Sequence, residues 1–277
     1  MRSLFFLLLF LSSTAFAQVP KRIVTAGSAI SEIVYALGHG SSIVATDQAS
    51  KYPAALQQLP SLGYRNSITA EGILSQNADL ILLEKDYVKS DVIDVLKSTG
   101  KKVLVLEQHH TIENTKKNIR TIAQALGTTA EPILSRMQAD LEAVSQKVAQ
   151  TKDRPRVLCV YARGQGNMHV VGPDSFFSII ELAGCQNAVP EIQGYKPLNA
   201  EALIAANPDF ILLFEAGLAS LGGVQGVLSL PGVAQTTAGK KQQIIALEGS
   251  LLTNWGPRLA QAVEELFRLT HPNTHGR

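Results

Sequence analysis

Two tyrosine segments hold the residues of this chain best suited to chemistry. Tyr64 stands in Gly63-Tyr64-Arg65-Asn66-Ser67-Ile68-Thr69-Ala70-Glu71, and Tyr195 in Gly194-Tyr195-Lys196-Pro197-Leu198-Asn199-Ala200-Glu201. A loop tyrosine can stack its ring on a flat ligand, or bind a ferric ion as phenolate. A free phenol ionises at about pH 10, so ligation needs the metal or a neighbouring cation to lower that value. Arg65 is the nearest cation in sequence. The bland alternative is a ring packed on its own turn. Glu71 and Glu201 each lie two residues after a capping side chain, Thr69 or Asn199. The helix dipole stabilises a carboxylate there by about 0.3–1 kcal/mol. Two matched surface carboxylates could equally dock onto basic residues of a partner.

Other groups carry less. Arg163 and His169 could face a ligand from the second half of the chain; for His169 the competing use is to fill a turn. His109 and His110 are adjacent, which points their rings apart and reads as a solvated loop. Trp255 and Arg258 open the last helical stretch and read as lobe packing before ligand contacts. Gly164-Gln165-Gly166 and Gly38-His39-Gly40 lack the continuation of a dinucleotide loop. No G-x-S-x-G elbow occurs, and Ser28, Ser67 and Ser175 have no evident base. Cys159 and Cys185 have no metal-site spacing; in an exported protein they could pair or remain buried thiols.

The elements that position these residues come from a repeat. Each tyrosine segment runs on into a capped helix and then an apolar run, Asp79-Leu80-Ile81-Leu82-Leu83 in one copy and Asp209-Phe210-Ile211-Leu212-Leu213 in the other. Such runs are typical of parallel strands covered on both faces. The spacing is too long for a solenoid, so it implies two like lobes with a cleft between them. Strand and helix signals alternate through both halves, which predicts an α/β fold of two Rossmann-like lobes with mostly parallel sheets. A stretch over 129–150 without glycine, its one proline in the first turn, predicts a single long linker helix. The expected organisation is a first lobe over 18–128, a linker helix over 129–152 and a second lobe over 153–277.

The first residues predict export. Arg2 precedes an apolar run, and Ala15-Phe16-Ala17 closes it, so 1–17 reads as a signal peptide cleaved near Ala17. The run is shorter than the roughly 20 apolar residues of a membrane span. Lys and Arg number 25 against 23 Asp and Glu, so nothing marks the chain for nucleic acid.

Taken together, these features resemble the periplasmic substrate-binding proteins of ABC importers. Leu62-Gly63-Tyr64 running on to Ala70-Glu71-Gly72-Ile73-Leu74 is similar to the haem-binding branch. So are Gly194-Tyr195-Lys196-Pro197-Leu198 with Ala200-Glu201-Ala202, and Gly256-Pro257-Arg258. The resemblance covers nearly all of the mature chain. It implies a monomeric, non-enzymatic periplasmic carrier that holds haem between its lobes, with Tyr64 as axial ligand to ferric iron. It also implies that Glu71 and Glu201 meet arginines of the membrane permease. Two places depart from the family pattern. Members commonly have tyrosine, any residue, then arginine, whereas Arg65 follows Tyr64 directly. Some carry a cleft histidine near the start of the second lobe, where this chain has Tyr161-Ala162-Arg163-Gly164 and only His169 or Tyr195 stands nearby. A ferric-siderophore or corrinoid carrier stays open beside haem, and an exported hydrolase is the reading from another class.

Overall fold

The apolar runs become the centres of two sheets. The structure, a computed structural model, describes residues 19–164, 166–173, 175 and 178–272; the signal peptide expected over 1–17 lies outside them. In the first lobe, β1 (Ile23–Ala26), β2 (Ile43–Thr46), β3 (Leu80–Glu84) and β4 (Lys102–Leu106) form a wholly parallel sheet in the order β2-β1-β3-β4. Side chains alternate across a strand, and both faces of β3 are covered. Leu80 and Leu82 meet α1 (Ser28–Val34) and α4 (Ile112–Leu126) on one face. Ile81 and Leu83 meet α2 (Ala70–Leu74) and α3 (Ser90–Ser98) on the other.

The second sheet is mixed. β5 (Arg156–Ala162), β9 (Phe210–Phe214) and β10 (Ile244–Leu247) are parallel, and the two-residue β7 (Gln186–Asn187) joins β5 in parallel. β6 (Met168–Val171) and β8 (Tyr195–Pro197) then add an antiparallel pair. The sequence shows no strand at Tyr195, because three exposed residues ending in proline carry no period-two signal. Proline is tolerated there because β8 is an edge strand. Among the described residues α6 (Ser178–Leu182) precedes β7. Helices α7 (Ala200–Ala206), α8 (Glu215–Ser220), α9 (Gly223–Leu228), α10 (Thr237–Lys240) and α11 (Gly249–Thr253) follow in this lobe. Cys159 and Cys185 stay unpaired and buried. Burial raises both thiols, that of Cys185 to about 11.

The long linker, α5 (Glu131–Gln150), has 20 residues, and a helix of that length spans about 30 Å. Leu134 and Met137 belong to the first-lobe core, Val144 to the second, and Leu141 packs against both. α5 therefore has one half rooted in each lobe. It also lies against α12 (Leu259–Thr270).

A buried ion pair closes the lobes together beside that helix. Glu32 on α1 is 2 % exposed. Arg258 grips it in a two-pronged contact, Nε to Oε1 and Nη2 to Oε2, each 3.0 Å. Asn254 Nδ2 adds a third donor at 3.0 Å, and its Oδ1 accepts from Ser28 Oγ at 2.6 Å. The Arg258 guanidinium lies 3.4 Å above the centre of the Tyr52 ring. Thr115 Oγ1 donates to the carbonyl of Trp255 at 2.9 Å, so Trp255 too is part of the seam. Trp255 and Arg258 are thus packing residues, and what they pack is one lobe on the other.

Removing one partner of a buried pair strands the other's charge. Arg258→Ala is expected to lower the unfolding free energy by about 3–5 kcal/mol, measured by urea denaturation. A loss below about 1 kcal/mol, the range of an exposed pair, would show that the contact does not hold the lobes.

Candidate functional site

A cavity of about 670 Å³ opens between the lobes. That volume lies in the range of small-molecule and cofactor sites, about 300–1,000 Å³. Its first-lobe wall comes from the carboxyl ends of β2, β3 and β4, where open α/β sheets bind ligands. Its second-lobe wall sets Tyr161 of β5, Tyr195 of β8 and Phe214 of β9 beside the polar Ser175, Thr253 and Asn254.

Tyr64 is built into the first wall by its backbone. Leu62 N donates to Thr46 O and Gln48 N to Gly63 O, both at 2.8 Å, which ties the loop to the end of β2. Gly63 has φ +90, and a Cβ there would meet Ser67 Oγ at 2.4 Å. That hydroxyl holds the following 3₁₀ turn (Arg65–Ser67): it accepts from Tyr64 N at 2.8 Å and donates to Tyr64 O at 2.9 Å. The Tyr64 side chain is left 46 % exposed, facing the cavity. Its ring stands edge-on to Tyr87, with centroids 6.0 Å apart, and the Arg65 guanidinium lies 4.9 Å from the centre of the same Tyr87 ring.

The second wall has a counterpart made from other positions. Tyr195 stands edge-on to Tyr161 at 5.8 Å, and the Arg163 guanidinium lies 5.4 Å from the Tyr161 ring centre. Burial, then Cys159 and Tyr161, push the Tyr195 phenol up to about 12. Phe214 adds a third ring, 5.9 Å from Tyr161.

Of the residues singled out in the sequence, the cavity brings together Tyr64, Arg65 and Tyr195. Arg163 lies outside the wall, exposed and one ring removed through Tyr161. His169 is on β6, opposite Tyr161 in register, half-buried and also outside the wall. Glu71 and Glu201 are exposed at matched helix positions. Thr69 Oγ1 caps one helix by accepting from Gly72 N, and Asn199 Oδ1 caps the other by accepting from Ala202 N.

Sequence reasoning passed over several wall residues. His109 and His110, read as a solvated loop, both line the cavity. His109 Nε2 lies 3.3 Å from Glu107 Oε2, and Lys85 Nζ 2.7 Å from Glu107 Oε1. Burial, then the neighbouring His109, hold His110 below the usual histidine range. Glu84, Tyr87 and Glu107 went unnoticed. The signal that finds them is position: Glu84 closes the apolar run of β3 and Glu107 follows that of β4, at the ends where ligands bind.

Glu84 is the most perturbed acid of the wall. Burial, followed by the charge of Asp47, raises it to about 7 against the opposing effect of Arg65. The protonated form is therefore favoured in the folded state. Its contribution to stability is complete below the ordinary value of 4.5 and is lost as pH rises through about 7. Glu84→Gln is accordingly expected to be more stable, relative to the parent, at pH 8 than at pH 5. Urea unfolding of both proteins at the two pH values checks this, and an equal difference at each pH would contradict it.

Comparison with known proteins places this geometry in context. Residues 23–251 match the family model described as periplasmic binding protein. The structure superposes on the periplasmic heme-binding protein RhuT from Roseiflexus sp. RS-1, in its apo form, with a TM-score of 0.86 and 33 % identity. That match covers 92 % of this chain and 99 % of the other. The ABC transporter substrate-binding lipoprotein YvrC of Bacillus subtilis, itself uncharacterised, is 26 % identical over 92 % of this chain and 81 % of its own length. A cobalamin-binding protein of Halobacterium salinarum is 24 % identical over 92 % of this chain and 70 % of its own length.

Proposed function

The chain belongs to the periplasmic binding protein family, and we propose that it captures haem between its lobes and hands it to the permease of an ABC importer. The observation that carries this reading is Tyr64, turned into a cavity of about 670 Å³ with Arg65 beside it and an aromatic wall opposite. A phenolate from Tyr64 would bind ferric iron from the first lobe. Tyr161, Tyr195 and Phe214 would cover the apolar faces of the ring system from the second. Tyr195 makes the poorer iron ligand, because burial, Cys159 and Tyr161 make its phenolate costly to form. Arg65 would supply positive charge to an anionic cargo. Arg163 and His169, which lie outside the wall, would act only through neighbours. Nothing in this scheme calls for a catalytic step.

Delivery assigns a use to the glutamates. Glu71 and Glu201 are exposed at the same helical position in each half, and each would meet an arginine of the permease. The signal peptide would export the chain as a soluble periplasmic monomer. No helix of the described residues is long and apolar enough to cross a membrane. A corrinoid cargo is the second reading, favoured by the cobalamin-binding relative that is 24 % identical.

Titrating hemin into the purified protein is expected to give a ferric tyrosinate spectrum. Loss of an outer-shell partner alone costs about 10–100-fold in metal affinity, so Tyr64→Ala should lose at least about tenfold and the tyrosinate band with it. Tyr195→Phe keeps the ring and its edge contact and should stay within about threefold. An unchanged spectrum in Tyr64→Ala would overturn the ligand assignment, and binding of cyanocobalamin without hemin would move the cargo to the corrinoids.

Glu71→Arg and Glu201→Arg should each leave hemin affinity intact while suppressing the stimulation of ATP hydrolysis by the reconstituted importer. Full stimulation by the double variant would show that docking uses another surface.

A further inference from the structure

Tyr87 is buried to 7 % exposure on the turn after β3, and the scheme above gives it no part. Its hydroxyl donates to Asp47 Oδ2 at 2.5 Å. Asp47 is itself 2 % exposed. It also accepts from the amide of Gly27 at 3.1 Å, the amide of Ala49 at 3.0 Å and the hydroxyl of Ser50 at 2.5 Å. A carboxylate held by four donors is an immobile anchor, so the Tyr87 ring is fixed at its far end.

Both residues that matter most in the first wall lean on that ring. Tyr64 stands edge-on to it and the Arg65 guanidinium lies over it. The backbone under Tyr64 is tied to the same place, since Thr46 and Gln48, the neighbours of Asp47, bind Leu62 and Gly63. Tyr64 is half exposed and would otherwise swing among rotamers. The second lobe repeats the tyrosine–tyrosine–arginine contact at Tyr195, Tyr161 and Arg163. There, among the described residues, the inner ring has no hydroxyl bond to a buried carboxylate. The first-lobe copy is the anchored one.

We infer that Tyr87 is a positioning residue: its ring, pinned through Asp47, sets the direction in which Tyr64 presents its phenolate to the metal and keeps Arg65 beside it. This rests on the reading of Tyr64 as the iron ligand. The role is geometric, so the geometry of the iron–phenolate bond must report it, beyond any change in stability.

The test uses the mature protein with hemin as probe, and reads affinity, the visible tyrosinate band and the ferric electron paramagnetic resonance line shape. An aromatic pair and a cation–π contact are each worth about two- to tenfold. Tyr87→Leu removes both and should weaken hemin by about tenfold, shift the band and broaden the ferric signal. Tyr87→Phe keeps the ring but frees its far end; affinity should stay within about threefold while the ferric signal still broadens. Band, line shape and affinity that match the parent in both variants would overturn the inference, even if thermal stability falls. Should Tyr87→Leu fail to fold, the Tyr87→Phe line shape decides by itself. If the parent shows no tyrosinate band, or Tyr64→Ala retains it, the ligand assignment is what has failed, and the positioning role falls with it.

Discussion

The grip of Arg258 on Glu32 is the contact on which the cleft depends. Taking a carboxylate out of water costs several kcal/mol, which only a well-aligned partner with its own hydrogen bonds offsets. Here the two prongs of the guanidinium meet the two carboxylate oxygens, Asn254 adds a donor, and Tyr52 stacks beneath. Such a pair contributes geometry more than net stability. Ser28 and Asn254 belong to this network and also line the cavity, so the seam is the floor of the cleft. α5 sets the other constraint, because a single helix with a foot in each core holds the walls at a fixed spacing. The two tyrosine-bearing walls face each other because of these two connections.

The walls are alike in sequence and unlike in physics. Both tyrosine segments lead into a helix capped by a side-chain oxygen and then a covered parallel strand, but the tyrosines themselves are held differently. Tyr64 enters a 3₁₀ turn, whereas Tyr195 begins an edge strand. The same ring-on-ring, cation-on-ring contact is rebuilt from residues that do not correspond, Tyr87 and Arg65 on one side and Tyr161 and Arg163 on the other. Charge gathers on the first wall, at Arg65, Glu84, Lys85, Asp86 and Glu107, while the second offers three aromatic rings among uncharged polar side chains. One wall is suited to bind charge and the other to cover a flat apolar surface.

The parts that were legible in the sequence share a physical reason. Leu80-Ile81-Leu82-Leu83 and Ile211-Leu212-Leu213 announce covered parallel strands because both faces are buried. The linker helix announces itself by twenty residues without glycine. Tyr64 and Tyr195 stand out because the text around them is doubled. β8 leaves no such mark, being three exposed residues whose partner lies in β6. The Glu32–Arg258 pair spans 226 positions, and nothing local in either residue names the other. Tyr87 and Glu84 are single residues after a strand, so only the rule that ligands gather at carboxyl ends could have singled them out. Of the two histidines, His109 is exposed as adjacency suggests, but His110 is half-buried, and the loop at the end of β4 places both on the cleft.

The first wall carries three acids, Glu84, Asp86 and Glu107, and still presents a cation to an anionic cargo. Asp47 is spent on four donors beneath the surface, so its charge is bound up in the anchor. Glu107 is taken by Lys85 and His109. Glu84 is largely protonated below about pH 7, because burial and the charge of Asp47 oppose its ionisation. Arg65 is thereby left as the cation whose described contact is to a ring and not to a carboxylate. Its charge remains available to whatever enters the cavity beside Tyr64. As pH rises through 7, Glu84 ionises near Arg65 and reduces that advantage. Below that pH the wall bears one fewer negative charge near Arg65.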